Sequence, residues 1–566
     1  MKLKSLIIKP LVLAMVMISV LLVIVACKNT DLDISDDNAD LVDSDGNIVT
    51  TPIDDSDSDQ VIEEPPAVIV IEPTYGGTIK LAMENPTTMS PIDNTNKSVD
   101  EVLRLIYEPL FKINEQFEPV PVLVESYEYD AANKSLAIRL KADILFHDGS
   151  VLTTNDVKYT IDQMKKNTGV YASKLVNVAY MTIVDDNEMI IYFDENYAFY
   201  LYDMNIPIVS KAYNNSDEFD PLLANGTGPY KEVDFTAMQN LKLEVFEGWH
   251  EAVPYISQIE CVITREESAE RTAFEQALID MYVPSQLDWR TYSEIEVKPI
   301  EYTTSYLDIV GFNFQSELLN DIDFRQAIAY AIDREAILST QYLDHGVITD
   351  GILHPDNYLL SEDDREIIYD GNLITAKALL DGVDLVDSND DGFFEDPILG
   401  NGENIQLRLL VNSSNQLRMG MAEMIMDDLA ELGIELVIDQ LDREGFYAAL
   451  DMGDYDLVLT GWKISEKPDY MGLFHSKYTE LGYNFINYSN LEMDLALEAI
   501  YTSSDVDILK DKIEAFNDLF ATELPYFPIA FSNSAILTNE HVYGLLRPST
   551  DDVYNNMDHI YIYDAQ

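Results

Sequence analysis

The residues with the clearest metal-ligand spacing lie in "DSNDDGFFED" (387–396). Asp387, Asn389 and Asp391, with the glycine that follows them, match the first ligand positions and the turn glycine of a calcium-binding loop. Ile398 stands where such a loop needs the bidentate glutamate that closes it. The stretch therefore predicts either a weak calcium site formed by Asp387, Asn389 and Asp391 or a turn that has only a structural role.

Signatures of catalysis are absent from the sequence. The chain contains no GxSxG, HExxH, CxxC or GxxxxGK[ST] pattern, and we expect no cofactor. His147 stands beside the turn dipeptide Asp148-Gly149 without an identifiable nucleophile, which favours a structural role. A glycosidase would need two carboxylates about 5–10 Å apart, and a chain with 102 acidic residues gives no means of choosing them. A cell-surface glycosidase therefore remains a remote alternative.

Cys27 ends an apolar run that begins at Leu11 and follows three lysines. The run is shorter than the roughly 20 residues of a membrane-spanning helix and ends in a small residue before the cysteine, which resembles a bacterial lipobox. We expect residues 1–26 to be a signal peptide and Cys27 to carry lipid, because two acyl chains give stable anchoring. An uncleaved anchor helix is the alternative, and both place the rest of the chain on the outer face of the cell membrane.

Residues 27–74 are predicted to be an acidic tether. Between Lys28 and Pro73 there are 14 acidic residues and one basic residue, with few apolar side chains. Such a segment buries too little surface to fold and is extended by the repulsion of like charges. The chain as a whole has a net charge of −67, which argues against a nucleic-acid partner and against resting on anionic lipid.

The remaining chain, from about Tyr75, interleaves strand-like and helical patterns, which predicts an α/β fold. "LKLEVF" (241–246) and "QIECVIT" (258–264) alternate as strands do, and the second predicts a buried Cys261. Asp321 is a plausible cap for a helix that turns Ala327, Ile328, Ala331 and Ile332 inward. A second helix, after Gln416, is predicted to bury Met421, Ile425, Leu429 and Leu432 and to end at Gly433.

Several motifs, in this order and spacing, resemble the solute-binding lipoproteins of ABC importers, in particular the oligopeptide/dipeptide/nickel-binding family (family 5). The combination of "FHDGSVLTTNDV" (146–157), "GTGPY" (226–230) and "FRQAIAYAIDRE" (324–335) is specific, whereas each motif alone is weak. The other matching stretches are "GGTIKLAMENPTTMSPIDN" (76–94), "IYEPLF" (106–111), "VFEGWHEAVPYISQIE" (245–260), "AKALLDGVDLVDSNDDGFFED" (376–396), "DYDLVLTGW" (454–462) and "ELPYFPI" (523–529).

This resemblance implies a two-lobed, periplasmic-binding-protein-like (Venus flytrap) α/β fold with an additional domain that is specific to the family. The lobes are expected to be joined by crossing strands and to close around the ligand. The expected division is lobe I at 75–115, 223–310 and 531–566, the extra domain at 116–222, and lobe III at 311–530. "GTGPY" is interpreted as a hinge or as the entry to a strand.

The resemblance also directs attention to "GWKISEKPDY" (461–470). In peptide-binding members, an aspartate three residues past the tryptophan pairs with the α-amine of the peptide. Ser465 occupies that position here, and a hydroxyl group cannot neutralise a buried ammonium group. Either Glu466 or Asp469 takes over this role, or the ligand is not a peptide with a free N-terminus.

Three other side chains of this stretch are candidates for ligand contact. Trp462 and Tyr470 can offer flat apolar walls, although both can equally be ordinary core aromatics. Lys463 can pair with a ligand carboxylate, or it can be a solvated lysine.

The function that the resemblance implies is capture of a small solute, most of all a short peptide, by a monomer that delivers it to the permease subunits of an ABC importer. A nickel complex or an oligosaccharide as ligand, or a surface receptor that keeps the fold, are the alternatives. Closure around the ligand would be driven only by the ligand's preference for the closed form. The chain has no P-loop, so the importer's ATPase would supply the energy.

Overall fold

The computed structural model describes residues 72–563, apart from gaps at 265, 285–288, 290–291, 293–296, 363–364, 384, 397, 399–401, 480–482 and 504. Helices and strands alternate along the described chain, as predicted for an α/β fold. Among the described residues, no helix is both long enough and apolar enough to cross a membrane. The predicted signal peptide, Cys27 and nearly all of the predicted tether lie outside the described residues.

A four-stranded mixed sheet includes the first strand of the described chain. That strand pairs in parallel with its neighbour, and the other two pairings are antiparallel. "QIECVIT" and "LKLEVF" form two of its strands, as predicted, and Cys261 is buried. In sheet order the strands are Thr78–Glu84, Gln258–Thr264, Asn240–Val245 and Tyr230–Thr236. "GTGPY" leads directly into the last of these, which agrees with its interpretation as a strand entry.

A second four-stranded sheet is entirely antiparallel and lies within residues 116–222. In sheet order its strands are Val124–Asp130, Ser135–Leu140, Glu188–Phe193 and Val178–Ile183. The helix Thr154–Met164 lies between the second and the last of these strands in sequence and buries Val157, and Phe146 of the preceding turn is buried too. The sequence predicts a helix that begins at Asp156 after a cap at Thr154 or Asn155, and this start was wrong by two residues. The carboxylate of Asp156 accepts hydrogen bonds from the N–H and hydroxyl of Thr153, which is therefore the cap.

The third sheet has seven strands and contains the two longest strands of the described chain. These two, Val297–Phe312 and Tyr526–Asn539, pair antiparallel along most of their length and are called the crossing pair here. Along the sheet the order is Met281–Tyr282, Tyr526–Asn539, Val297–Phe312, Leu457–Lys463, Gln406–Asn412 and Glu435–Leu441, while Gly346–Val347 pairs with Tyr526–Asn539 off this path.

The crossing pair has two breaks in register, one between Thr303 and Leu307 and one between Asp308 and Ile309. Such irregularities bend a strand and release backbone groups from the ladder. The domain boundaries expected at 310/311 and 530/531 fall inside these two continuous strands rather than between elements.

Two helices beside this sheet begin and end as the sequence predicts. The carboxylate of Asp321 accepts from the first free N–H groups of Ile322–Ala331. The helix Gln416–Leu432 ends at Gly433, whose φ of +92° is the left-handed conformation that favours glycine. All eight predicted inward-facing residues are buried: Ala327, Ile328, Ala331, Ile332, Met421, Ile425, Leu429 and Leu432.

Two of the resembling motifs meet in the core. Arg325 donates to the carbonyl oxygen of Glu523 at 2.6 Å, and Arg334 donates to that of Pro528 at 2.9 Å. Arg334 also forms a buried ion pair with Asp350 at 2.6 Å. The arginines of "FRQAIAYAIDRE" therefore hold "ELPYFPI", which begins the second crossing strand.

The remaining elements complete the layers around these sheets. Two small sheets pair Phe111–Ile113 with Pro119–Pro121 and Val542–Gly544 with Ile560–Ile562. The other α-helices are Lys97–Leu103, Tyr200–Asp203, Lys211–Asn214, Glu267–Glu275, Arg334–Ile337, Leu373–Leu380, Arg443–Met452, Met471–Phe474, Leu491–Tyr501 and Val506–Glu523. Short 3₁₀ or π turns occupy Ala172–Leu175, Leu318–Asn320, Leu338–Tyr342, Ser476–Tyr478 and Met557–His559.

Candidate functional site

A cavity of about 660 Å³, called the central cavity here, lies where five separate segments of the chain converge. Its walls come from the helix Lys97–Leu103, from residues 170–174 and 202–203, from residues 463–467 after a strand of the seven-stranded sheet, and from Asp551 near the C-terminus. Two cavities adjoin it and share wall residues with it. The side cavity, about 410 Å³, shares Lys97 and Glu101, and the small cavity, about 220 Å³, shares Arg104, Tyr171 and Glu466.

The register break between Thr303 and Leu307 in the crossing pair positions two of these wall segments. Ser305 lies in the break, so its backbone groups are free for other partners. Its carbonyl oxygen accepts from the N–H of Ile464 at 2.8 Å, and its N–H donates to the hydroxyl oxygen of Thr550 at 2.7 Å. An irregular strand therefore fixes both residues 463–467 and the C-terminal loop beside the central cavity.

Residues 463–467 form ion pairs with the opposite walls of the central cavity. The ammonium group of Lys463 bonds the carboxylate of Asp551, and Lys467 lies 3.5 Å from Asp203. Glu466 lies 3.9 Å from Lys174, a looser contact than a hydrogen bond. The segment is thus tied to elements that are distant in the sequence.

Burial alters the pKa values of these groups in opposite directions. Burial raises the pKa of Glu466 and lowers that of Lys174, because each loses hydration that favours its charged form. Burial also acts on Asp551, but the nearby Lys463 outweighs it and holds the pKa of Asp551 below its ordinary value. Of the carboxylates of Glu466 and Asp551, that of Glu466 therefore has the weaker compensation for its lost hydration. A cation that enters the cavity would stabilise the charged form of Glu466.

Three of the six predicted ligand residues line the central cavity: Lys463, Ser465 and Glu466. The Ser465 side chain is exposed, and its hydroxyl oxygen accepts from the N–H of Lys467 at 3.1 Å. Lys463 is not a free lysine, since it is already paired with Asp551.

The other three predicted ligand residues are not among the lining residues of these cavities. Tyr470 is buried and stacks on Phe516 with ring centroids 5.6 Å apart, as a core aromatic does. Trp462 stacks on Phe485 at 5.5 Å, and its indole N–H has no hydrogen-bond partner among the described residues. A carboxylate oxygen of Asp469 accepts from the N–H of Met471 at 3.3 Å at the start of a short helix.

Sequence reasoning missed most of the cavity wall. Lys97, Arg104 and Lys174 belong to elements for which no motif suggested a ligand role, and Asp203 and Asp551 are two acids among 102. One signal was available, because the chain has only 35 basic residues. A lysine or arginine beside a family motif is therefore less ordinary here than it would be in a protein of balanced charge.

The side cavity has an arginine at its edge that is held by a buried carboxylate. Arg418 donates from Nε to Asp308 at 2.7 Å, and Asp308 also accepts from the hydroxyl of Tyr342. A β-carbon on Gly461 would lie 2.2 Å from Nη2 of Arg418 and 2.9 Å from Asp308. The glycine of the "GW" motif is therefore needed for this ion pair to fit beside the strand.

The residues of the predicted calcium loop lie together, but the loop's own N–H groups occupy their oxygens. Asp387 accepts from the N–H of Gly392 at 3.0 Å, and Asn389 accepts from that of Asp391 at 2.8 Å. The amide group of Asn389 also donates to Asp391 at 3.0 Å. No group of three or more His, Cys, Asp or Glu side chains within the described residues is arranged to hold a metal ion. These bonds stabilise the turn, and calcium binding by Asp387, Asn389 and Asp391 stays a prediction.

His147 packs against "GTGPY" and contacts its backbone. Its Nε2 lies 3.1 Å from the carbonyl oxygen of Gly228, and its Nδ1 lies 3.4 Å from the N–H of Gly226. Burial lowers the pKa of His147 to about 4, so the ring is neutral and can donate to one of these groups and accept from the other. This is the structural role that the sequence favours.

A seven-stranded sheet that contains a long antiparallel strand pair, two separate four-stranded sheets, and a charged cavity lined by elements that are distant in the sequence are the features expected of a two-lobed α/β binding protein. Residues 118–484 match the model of the bacterial extracellular solute-binding proteins, family 5. The match covers more than half of the chain, and the chain belongs to this family. Its members are substrate-binding proteins of transport systems, and the predicted family and fold class are confirmed.

Three relatives illustrate the likeness. The oligopeptide-binding protein AppA of Bacillus subtilis is 23% identical over 86% of this chain and 91% of its own length. The match to its structure in complex with a nonapeptide covers 87% of this chain and 100% of the chain in that structure, with 21% identity and a TM-score of 0.58. NikZ of Campylobacter jejuni, in complex with Ni(L-His), is 21% identical over 86% of this chain and 99% of its own, with a TM-score of 0.62. An ABC transporter substrate-binding protein of Sinorhizobium meliloti is 18% identical over 86% of this chain and its own whole length, with a TM-score of 0.74.

Proposed function

We propose that this protein captures a short peptide with a free N-terminus outside the cell membrane and delivers it to an ABC importer. Family membership supports a binding role, and the oligopeptide-binding relative supports a peptide as the ligand. The observation that carries the proposal is the position of Glu466, a largely buried carboxylate in the central cavity next to the residue where peptide-binding members have an aspartate.

Glu466 is the proposed partner of the peptide's α-amine. Its present partner, Lys174, is 3.9 Å away and leaves room for a closer cation. Burial raises the pKa of Glu466, and an ammonium group would offset this lost hydration. Asp469 is not proposed, because it lines none of these cavities and accepts a bond from its own loop.

The proposed mechanism is closure of the cavity around the peptide, followed by release of the peptide unchanged. The two sides of the cavity would close on the peptide by a hinge motion in the crossing pair, whose broken register gives local bending. Lobe I at 75–115, 223–310 and 531–566, the extra domain at 116–222 and lobe III at 311–530 are the proposed moving parts. Small-angle scattering should then show a smaller radius of gyration with peptide, and an unchanged curve would contradict the hinge.

Titration calorimetry on the full-length protein in detergent tests the ligand. Ala-Ala-Ala should bind, whereas N-acetyl-Ala-Ala-Ala, Ni(L-His) and an oligosaccharide should not. Glu466→Gln should weaken Ala-Ala-Ala binding by about tenfold, since removal of one charge partner costs at least 1.4 kcal/mol. Asp469→Asn is the matched control and should bind normally. Binding confined to ligands that lack an amine would exclude the peptide, and hydrolysis of any ligand would indicate an enzyme.

The membrane anchor is a separate proposal that rests on the sequence around Cys27. We infer that Cys27 is lipidated after removal of residues 1–26 and that the acidic segment 27–74 holds the binding domain away from the membrane. Metabolic labelling with an alkyne-palmitate analogue should mark the wild-type protein and not Cys27→Ala. A membrane-bound Cys27→Ala protein of full length would instead indicate an uncleaved anchor helix.

A further inference from the structure

The charged side chains that line the central and side cavities form a complete set of ion pairs. Six basic and six acidic residues line these two cavities, and each is paired with another member of the same wall. The pairs are Lys97–Glu101 at 3.7 Å, Arg104–Asp100 at 3.2 Å, Lys174–Glu466 at 3.9 Å, Lys467–Asp203 at 3.5 Å, Arg418–Asp308 at 2.7 Å, and Lys463–Asp551.

The equal number of acidic and basic residues at these cavities is unlike the rest of the chain. The protein has 102 acidic and 35 basic residues, so a random sample of its charged residues would be strongly acidic. The basic members of the wall also come from separate elements, including the helix Lys97–Leu103, the strand end at Lys463 and the first turn of the helix Gln416–Leu432. The fold therefore brings enough lysine and arginine side chains to these two cavities to give their lining a formal charge of zero.

We propose that this charge-neutral wall selects ligands whose own net charge is zero. Peptides whose side chains are all uncharged are then the preferred ligands. The inference rests on the proposed function, since it concerns what the same site accepts. A group that leaves water for a cavity needs a partner there, because an uncompensated charge loses its hydration without replacement. A wall whose charges are already matched has no spare partner to offer.

A zwitterion can enter such a wall without leaving a charge unmatched. The two loosest pairs, Lys174–Glu466 and Lys97–Glu101, lie at 3.9 and 3.7 Å. An ammonium group that approaches Glu466 releases a lysine for the carboxylate at the ligand's other end, so that all charges remain paired. A third charge, from a lysine or glutamate side chain, would have no counterpart. The small cavity shares Arg104 and Glu466 with the central cavity and is also lined by Lys112 and the acids Glu108, Glu251, Asp552 and Asp558, so the neutrality is a property of the central and side cavities alone.

Tripeptides that differ only in side-chain charge test the proposal. Calorimetry on the full-length protein would compare Ala-Glu-Ala with Ala-Gln-Ala, and Ala-Lys-Ala with Ala-Met-Ala. Each charged peptide should bind at least about tenfold more weakly than its uncharged match. Equal affinities within both pairs would overturn the inference but leave the proposed function intact, whereas failure of all four peptides to bind would overturn the proposed function itself.

Variants of the Lys463–Asp551 pair give a reciprocal test in which Glu466, the proposed partner of the amine, is kept. Asp551→Asn leaves Lys463 unmatched and should shift preference toward Ala-Glu-Ala, while Lys463→Met leaves Asp551 unmatched and should shift preference toward Ala-Lys-Ala. The double variant should again prefer the uncharged peptides. Both side chains are partly exposed, so folding should tolerate these changes.

The matched controls come from an ion pair outside the cavities. Lys158 and Asp162 form an ion pair at 2.8 Å on one helix, and neither residue lines the cavities. Lys158→Met and Asp162→Asn change the total charge by the same amounts and should leave peptide preference as it is. A shift in these controls equal to that in the cavity variants would assign the effect to overall charge and overturn the inference.

Discussion

The carbonyl oxygen of Ile106 lies where a side chain on Gly226 would begin. A β-carbon on Gly226 would be 2.0 Å from that oxygen, and one on Gly228 would be 2.8 Å from it. The N–H of Gly228 donates to the same carbonyl at 2.9 Å. "GTGPY" is therefore held against "IYEPLF" by backbone contact, and the two motifs are neighbours in space.

Gly226→Ala should accordingly destabilise the protein. The backbone of Ile106 would have to move, and overpacking of this kind costs about 1–3 kcal/mol. Chemical denaturation followed by circular dichroism measures the change. Gly472→Ala is the matched control, because its β-carbon would meet only Tyr483, at 3.8 Å, within a short helix. We expect that control to change the free energy of unfolding by less than about 0.5 kcal/mol.

Arg418→Met should destabilise the protein because it leaves Asp308 without its partner. The Asp308 side chain is 10% exposed and that of Arg418 is 22% exposed, so the pair is largely shielded from water. Loss of one partner from such a pair costs about 3 kcal/mol. The double variant Arg418→Met/Asp308→Asn should recover much of this loss, because no charge is then left unmatched. Equal stability of the single and double variants would contradict this account.

Ser465→Asp should tighten the binding of peptides that have a free amine. The Ser465 side chain lines the central cavity, and a carboxylate there can keep the hydrogen bond from the N–H of Lys467. A second acid beside Glu466 would then strengthen attraction for the ammonium group several-fold. Calorimetry with Ala-Ala-Ala measures the change, and N-acetyl-Ala-Ala-Ala serves as the control. If affinity for the free peptide stays the same, the amine does not lie near residue 465.

Features that depend on neighbouring residues could be predicted from the sequence. The cap at Asp321, the helix end at Gly433 and the inward-facing residues of both helices follow from side-chain hydrogen bonding, backbone conformation and helical periodicity. The error at Thr153 is also local. Thr153, Thr154 and Asn155 all have side chains that can cap a helix, and only the folded chain shows which of them precedes the first turn.

The wall of the central cavity could not be predicted in this way. Lys174 and Glu466, or Asp203 and Lys467, are separated by more than 260 residues, and their contacts depend on how distant elements pack. Neither periodicity nor capping carries that information. The same limit applies to Tyr470, because an aromatic residue after a strand can face a cavity or the core. In the structure it faces Phe516 in the core.

Glu101 should make the stability of the protein depend on pH. Burial raises its pKa from 4.5 to about 7, despite the attraction of Lys97 and Arg104. The charged groups that act on Glu101 are Lys97, Arg104, Asp552 and Asp100, and Glu101 in turn acts on Tyr302 and Tyr554. Because the folded state holds this proton more tightly than the unfolded state, Glu101 favours folding fully below pH 4.5 and loses that effect as the pH rises to about 7.

Glu101→Gln should therefore be more stable than the wild type at pH 8, by up to about 3 kcal/mol, and should lose this advantage below about pH 4.5. Thermal unfolding of both proteins between pH 4 and pH 8, on the order of one measurement per half unit, gives the difference in Tm across this range. Glu218→Gln, which removes an exposed carboxylate outside the cavities, serves as the control. A constant difference for Glu101→Gln would mean that the pKa of Glu101 is the same in the folded and the unfolded protein, with Lys97 and Arg104 fully offsetting its burial.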